Sequence, residues 1–413
     1  MTHELTIAGP TLDDVERARV TVSAVVDVTP MESSHYLSRV LGQPVFMKCE
    51  NLQRTGSYKI RGAYNRISSL SDEEKARGVV AASAGNHAQG VAFAARELGI
   101  PATIFMPIGV ALPKLQATRD YGAEVVLRGH TVAEPLKAAA EHAERTGAVY
   151  IPPFDHPDVV AGQGTLGLEV LEQVPDLSTV VVPIGGGGLI SGMASVLKRR
   201  AAELGRDIRV IGVQAVNAAA YPVSLAAGVP TEITISPTIA DGIAVSKPGK
   251  LNFAIIADTV DEVVTVDDDD IARAMLVLLE RAKLVVEPAG AVGVAAILTG
   301  KVQATGPTVV MLSGGNIDPL IMERVISHGL AASERYLKLR IPLPDRPGQL
   351  ARTSEIVAAQ NANVVEVLHT RHGTGLQISQ VELELHIETR GPEHAEQVLG
   401  ALRAEGYEPR VDF

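Results

Sequence analysis

The chain has 413 residues, 46% hydrophobic and 21% charged, with one cysteine and a formal net charge of −11. Its length predicts roughly two to four domains of about 100–200 residues each. The acidic balance excludes nucleic acid or an anionic membrane as the main partner, and a lone cysteine excludes an intrachain disulfide framework or a Cys-rich zinc site.

The N-terminal segment carries Glu4, Asp13, Asp14 and Glu16 and no apolar core, so it does not read as a signal peptide. Val45 to Glu50 reads as a strand, which makes Cys49 a buried, inert thiol rather than a nucleophile. From there to Leu312, apolar β-branched runs alternate with helical patterns. Val79-Val80-Ala81-Ala82 precedes a helix over 88–98, Ala102 to Met106 a helix over 113–121, and Glu124 to Leu127 a helix over 133–146. Thr179 to Val182 precedes a helix over 189–204. Val210 to Val213 and Thr308 to Leu312 continue the series. Continuous apolar strands between helices predict parallel sheets covered on both faces, with ligands beyond the carboxyl ends of the strands. The uncharged stretches 177–197 and 210–231 are broken by Gly, Pro and polar residues, so neither reads as a membrane span. A reducing cytoplasm fits these features. Asp267 to Asp270 reads as an acidic N-cap and first turn, in preference to a metal cluster.

Four segments carry chemistry. In Ser57-Tyr58-Lys59-Ile60-Arg61-Gly62-Ala63, a lysine sits among small and apolar residues at a helix start. Desolvation lowers an amine pKa and frees it as nucleophile and base, as a Schiff-base lysine requires; taken alone, the segment reads sooner as an ordinary helix start. Ser83-Ala84-Gly85-Asn86-His87 lies between a strand and a helix, where backbone N–H groups can hold a carboxylate and Asn86 a phenolic oxygen; the plain alternative is a strand–helix turn with Asn as cap. Gly185-Gly186-Gly187-Gly188-Leu189 follows a strand and opens a helix. Its amides and the helix dipole suit a phosphate. It fits neither the dinucleotide fingerprint nor a P-loop, and its plain alternative is a flexible turn. Ser313 stands at the end of the last long strand, either facing a ligand or capping a turn.

After about Ser327 the pattern changes to antiparallel alternation. Leu337, Leu339 and Ile341 alternate with Lys338 and Arg340, followed by a turn over 344–348 and a helix over 349–360. A strand over 363–370, a hairpin connection over 371–375, and Val381, Leu383, Leu385 and Ile387 come next. Ala395, Val398, Leu399 and Leu402 form a helical stripe that stops at Gly406, and 407–411 is the last strand. The order βαββαβ predicts a ferredoxin-like unit.

Together the segments resemble the fold type II (tryptophan-synthase-β-like) pyridoxal phosphate (PLP) enzymes, and within them the threonine ammonia-lyases. Thr29-Pro30-Met31, Glu50-Asn51-Leu52-Gln53, Thr238 to Gly242 and Glu287-Pro288-Ala289-Gly290-Ala291 extend the match across about 25–323. The tail from about Tyr336 resembles an ACT domain, with Asp345-Arg346-Pro347-Gly348-Gln349-Leu350 as its ligand loop and Asn361 and Asn363 as neighbours. The resemblance implies an α/β fold type II catalytic domain over 1–325, a linker over 326–335 and an ACT regulatory domain over 336–413. Lys59 would carry PLP and act as the α-proton base. Asn86 would bind the ring oxygen, Gly185, Gly186, Gly187, Gly188 and Leu189 the phosphate, and Ser313 the pyridine nitrogen. Residues Ser83, Ala84, Gly85, Asn86 and His87 would grip the substrate carboxylate.

The implied reaction converts L-threonine to 2-oxobutanoate and ammonia, with L-serine as a secondary substrate. It also implies isoleucine or valine as effector, a homodimer or homotetramer, and a role in isoleucine biosynthesis or threonine breakdown. Two departures bear on the alternatives, a serine racemase or serine-specific dehydratase. Racemases carry a serine where Ala84 stands, and their divalent-metal site has a glutamate where Gln214 stands; no metal is expected here. A catalytically dead sensor is the remaining reading, and retention of Lys59, Asn86, the glycine run and Ser313 argues against it.

Overall fold

A computed structural model describes residues 9–131, 133–371 and 379–412; Glu4 and residues 372–375 of the expected hairpin connection lie outside them. The chain divides into two compact units, Met1–Pro319 and Leu320–Phe413.

The first unit holds two sheets. The larger runs in the order Met31–Ser33, Val45–Cys49, Thr308–Leu312, Thr179–Pro183, Arg209–Ala215, Glu262–Val266. Its first pair is antiparallel and the rest are parallel. The smaller runs Glu124–Leu127, Ala102–Met106, Val79–Ala82, Val149–Tyr150, all parallel. The apolar runs form buried strands as expected: every residue of Val79–Ala82, Thr179–Pro183 and Thr308–Leu312 is buried. Met31–Ser33 and Val149–Tyr150 have no counterpart in the sequence reading, because three and two residues are too few to carry a period. Cys49 is buried, and burial pushes its thiol up to about 12, so it is no nucleophile. Asp267 caps the helix Asp268–Val277 by accepting the Asp270 N–H at 2.8 Å. Among the described residues, no helix is long and apolar enough to cross a membrane.

The large lobe is tied to the helix Lys59–Ser68 by a buried charge cluster. Arg61, fully buried, donates to both carboxylate oxygens of Glu50 (2.9 and 2.8 Å) and of Glu169 (2.6 and 3.1 Å). Lys48, also fully buried, donates to Glu169 (2.8 Å), the Thr29 carbonyl (2.9 Å) and Gln173 (2.9 Å). The Thr29 hydroxyl completes Glu50 at 2.6 Å. Two cations and two carboxylates thus cancel in a site water does not reach. Glu50 is held below the usual carboxylate range by Arg61, its hydrogen bonds and Lys48, against the opposing effect of burial.

The second unit is ferredoxin-like. Its sheet runs Asn363–Thr370, Gln380–Glu388, Tyr336–Pro344, Arg410–Asp412, with antiparallel neighbours throughout. Leu337, Leu339, Ile341, Leu383, Leu385 and Ile387 face helices Gln349–Ala359 and Pro392–Ala404, joined in one core by Val357, Val398 and Leu402. Gly406, at φ +85°, ends the second helix in the conformation glycine favours. Residues 326–332, expected in a linker, belong to the helix Pro319–Ala332.

Arg61→Met leaves Glu50 in the interior with only the Thr29 hydroxyl, and Glu169 with only Lys48. Breaking a buried pair by removing one partner costs about 3–5 kcal/mol, so urea unfolding is expected to show a loss of that size, with the wild-type value as the contrary result.

Candidate active site

Lys59 opens its helix directly after a tight turn. Gly56 sits at φ +70°, where a Cβ would overlap the Asn316 side chain. Ser57 forms a bridge with Gly314, and the Tyr58 N–H donates to the Ser313 carbonyl at 3.2 Å. The helix start is therefore stitched to the end of the strand Thr308–Leu312, which brings Lys59 and Ser313 together. The Lys59 ammonium donates to the Pro153 carbonyl at 3.0 Å and lies 5.3 Å from the Tyr58 ring centroid. Ser313 is buried to 4% exposure, and among the described residues its hydroxyl has no protein partner.

Residues 83–87 lie at the carboxyl end of Val79–Ala82, at the mouth between the lobes. The helix Asn86–Glu97 starts after Gly85 with no side-chain cap, so its first N–H groups have no intrahelical acceptor and form an anion site. The Ser83 hydroxyl accepts the Gly85 N–H at 3.2 Å. The buried His87 ring meets the Ile151 carbonyl at 2.9 Å. Burial, and then the Lys59 charge, push it down to about 3, so the ring is neutral and donates to that carbonyl. What His87 offers a carboxylate is its backbone N–H. Over this loop, Lys114 on the small lobe pairs with Asp241 on the large lobe at 3.0 Å.

The glycine run meets walls on several sides. A Cβ on Gly186 would enter the Phe154 ring, and one on Gly188 would press against Phe154 at 3.0 Å. Gly187 sits at φ +100°, with the Tyr221 hydroxyl where its Cβ would go. The Gly186 carbonyl accepts from Tyr221 (3.1 Å) and Asn252 (3.1 Å). In a trans peptide the next N–H points the opposite way, so these two side chains aim the Gly187 N–H outward. Among the described residues, the N–H groups of 185–189 have no protein acceptor, and the helix Gly188–Glu203 begins there without a side-chain cap. The buried Gln214 supports this loop from behind. Its amide donates to the carbonyls of Ile184 (3.2 Å) and Ala218 (3.4 Å), and its oxygen accepts the Tyr221 N–H (2.9 Å).

Asn86 lies between Glu287, whose Oε1 accepts its Nδ2 at 2.7 Å, and Asn316, which donates to its Oδ1 at 2.9 Å. Glu287 is 5% exposed. Burial, and then Asp241, raise its carboxyl to about 7 against the opposing pull of Lys114, the Asn86 bond and Lys59.

Sequence reasoning did not assign roles to Pro153, Phe154, Tyr221, Asn252, Glu287 or Asn316. Glu287 and Asn316 stand inside motifs that had drawn attention; Tyr221 and Asn252 lie in stretches with no signal of their own. The residues expected around an effector do not gather. Asp345, Arg346, Gly348, Gln349 and Leu350 follow one end of the nine-residue strand Tyr336–Pro344. Asn363 pairs with Glu388, opposite Tyr336, at the other end, and Asn361 (φ +58°) lies beside it. At about 3.3 Å per residue the two groups stand roughly 26 Å apart, so within one chain Asn361 and Asn363 are not neighbours of the loop.

Residues 22–314 match the family model described as pyridoxal-phosphate dependent enzyme. The chain is 48% identical over 402 residues to an L-threonine ammonia-lyase of Thermotoga maritima, covering 97% of this chain and 99% of that one. Among solved structures it is similar to maize serine racemase (TM-score 0.73, 36% identity, 78% of this chain and 98% of that one). It is likewise similar to the processed form of threonine deaminase isoform 2 from Solanum lycopersicum (TM-score 0.71, 37% identity, 79% and 98%). The site fits PLP. A cradle that any Cβ would fill suits its phosphate, a primary amine its aldehyde, and a partnerless hydroxyl its ring nitrogen.

Gly187→Ala places an L side chain at positive φ, at a cost of roughly 1–2 kcal/mol, or about tenfold in affinity, before the Tyr221 overlap is counted. Titration of the cofactor-free protein with PLP is expected to show at least that weakening; unchanged affinity would remove the loop from the site. Glu287 gives the cofactor-free fold a pH signature. Its pKa is raised, so the native state favours the neutral form. That stability is full below about pH 4.5 and is lost as pH rises through about 7, a change on the order of 3 kcal/mol. Urea unfolding across that range is expected to lose this component in Glu287→Gln.

Proposed function

The chain belongs to the pyridoxal-phosphate dependent enzymes, and from that footing we propose that it is a threonine ammonia-lyase, converting L-threonine to 2-oxobutanoate and ammonia. The observation that carries the reading is the Lys59 amine, held on the Pro153 carbonyl beside Ser313 and within one lobe interface of an open anion-binding helix start. The names of its relatives support the substrate.

PLP, when bound, supplies an electron sink that lets the α-carbon of an amino acid give up its proton. The protein does the rest. Amides 185–189 take the phosphate, where the aimed N–H groups and the helix dipole favour negative charge. Asn86 offers N–H to the ring oxygen. The Ser313 hydroxyl meets the ring nitrogen without adding charge, which keeps the sink weak and favours loss of the β-hydroxyl over other outcomes. The N–H groups of Asn86 and His87, with the rest of the 83–87 loop around them, hold the substrate carboxylate and so orient the Cα–H bond toward Lys59, whose free amine removes the proton. Neutral His87 leaves Lys59 as the base. Lys59 then also serves to release product: the β-hydroxyl leaves as water once it takes up a proton, and the released enamine tautomerises and is hydrolysed by water to 2-oxobutanoate and ammonia. Cys49, buried and inert, supports a reducing cytoplasmic setting.

L-Serine, lacking one methyl group, would fit the same contacts and give pyruvate. The racemase reading draws support from the maize structure. Ala84 opposes it, because the loop has no hydroxyl there to return a proton to the opposite face of the α-carbon. Chiral analysis of L-serine after incubation decides: D-serine above the blank would favour racemisation.

The second unit reads as an ACT regulatory domain. Its edge strand Asn363–Thr370 leaves Val365, Val367 and Leu368 exposed, an edge that needs a cover. Antiparallel pairing with the same strand of a second copy would carry Asn361 and Asn363 to that copy's 345–350 loop, which reunites the expected effector residues. An oligomer is then part of the effector site.

Lys59→Ala is expected to abolish 2-oxobutanoate formation from L-threonine with folding intact by circular dichroism; near-normal turnover would end the assignment. In the full-length enzyme, isoleucine or valine is expected to shift turnover by about 5–150-fold in apparent affinity. Val367→Lys at the edge is expected to blunt that response and alter sedimentation. Turnover and sedimentation indifferent to every amino acid tried would refute the regulatory reading.

A further inference from the structure

The reading of Asn86 as the ring-oxygen contact has a requirement: its carboxamide must present N–H, not C=O, to that oxygen. The surroundings supply a direction. A backbone carbonyl only accepts, and the Thr55 carbonyl takes Asn316 Nδ2 at 2.7 Å. The same nitrogen donates to Asn86 Oδ1 at 2.9 Å. Asn86 must then turn Nδ2 the other way, where Glu287 Oε1 accepts it at 2.7 Å. A flipped Asn86 would set N–H against N–H at Asn316 and, with Glu287 ionised, oxygen against oxygen there as well.

Glu287 is itself fixed. It stands at the start of the helix Pro288–Leu298, and its N–H donates to the Gly314 carbonyl at 3.0 Å. A Cβ on Gly314 would overlap Oε1, so the space for the carboxyl exists because that neighbour of Ser313 is glycine. The bond also crosses the cleft, from the large-lobe helix to the small-lobe helix.

We propose that Glu287 is a positioning residue for the cofactor: it holds one N–H of the Asn86 carboxamide and leaves the other for the ring oxygen of PLP. The proposal rests on the Asn86 reading above. Glutamine at 287 keeps an acceptor for Asn86, whereas leucine removes it and leaves a buried donor unpaired.

The test is a double-mutant cycle in the full-length chain. PLP affinity of the cofactor-free protein and the absorption maximum of the bound cofactor are the readouts. Asn86→Ala and Glu287→Leu are each expected to weaken PLP about tenfold or more. Glu287→Gln is expected to restore affinity to within about threefold and to return the absorption maximum to the wild-type position. Asn86→Ala with Glu287→Leu is expected to bind no worse than Asn86→Ala alone, since the two act through one contact. Should Glu287→Leu not fold, Glu287→Ala takes its place in the same comparison. Wild-type affinity in Glu287→Leu (or in Glu287→Ala where it replaces it), or losses that multiply in the double variant, would overturn the proposal while leaving the Asn86 contact standing. An Asn86→Ala variant that binds PLP normally would instead remove that contact, and the proposal with it.

Discussion

Arg61 lies two residues from Lys59 on the same helix, and the site depends on where that guanidinium is anchored. It forks onto Glu50, at the end of one strand of the large sheet, and onto Glu169, on the helix Pro157–Gln173. Lys48 closes the group from the neighbouring position on that strand. A bidentate pair tolerates little displacement or rotation, and none of these four side chains can take its charge to water. The helix that carries Lys59 is thereby referenced to the large lobe, and the Pro153 carbonyl that receives the amine follows directly from the same region of chain. Hydrophobic packing could bring these elements together but would not specify their rotation as sharply.

The remaining parts of the site are carried by backbone. Among the described residues, the 185–189 loop and the start of the helix Asn86–Glu97 present backbone N–H groups without protein acceptors. What the side chains do there is to aim or to leave room: Tyr221 and Asn252 hold the Gly186 carbonyl, Phe154 closes over the glycines, and Gln214 braces the turn. Such a site is rigid without being crowded. In the proposed reaction the reacting groups are few, Lys59 foremost among them, and the scaffold does the orienting.

Much of this was legible in the sequence because it is written locally. A buried parallel strand announces itself as an apolar β-branched run, and a glycine cluster after a strand announces a turn that admits no Cβ. Lys59, Asn86, 185–189 and Ser313 each sit at such a junction. Tyr221, Asn252 and Pro153 were not legible, since each acts through a contact 35 to 94 residues away that no spacing encodes. Arg61 shows the same limit. It stands beside Lys59 in the motif, yet its partner Glu169 is 108 residues off. Asn361 and Asn363 show the limit from the other side: within one chain, nearness in sequence to the 345–350 loop does not survive a helix that carries the chain to the far end of the sheet.

Among the contacts that join the lobes around the cleft, Asn86–Glu287 and Lys114–Asp241 differ in how they meet the solvent. Glu287 is buried and Asn86 half-buried, whereas the Asp241 end of Lys114–Asp241 is 66% exposed. Dissolved ions screen charges they can approach, over a Debye length of about 8 Å at physiological ionic strength, and act far less on a hydrogen bond whose acceptor is buried. Ionic strength therefore acts on the rim of the cleft more than on its floor. Concentrated salt weakens the Lys114–Asp241 pair at the rim while the Asn86–Glu287 contact below it keeps its geometry.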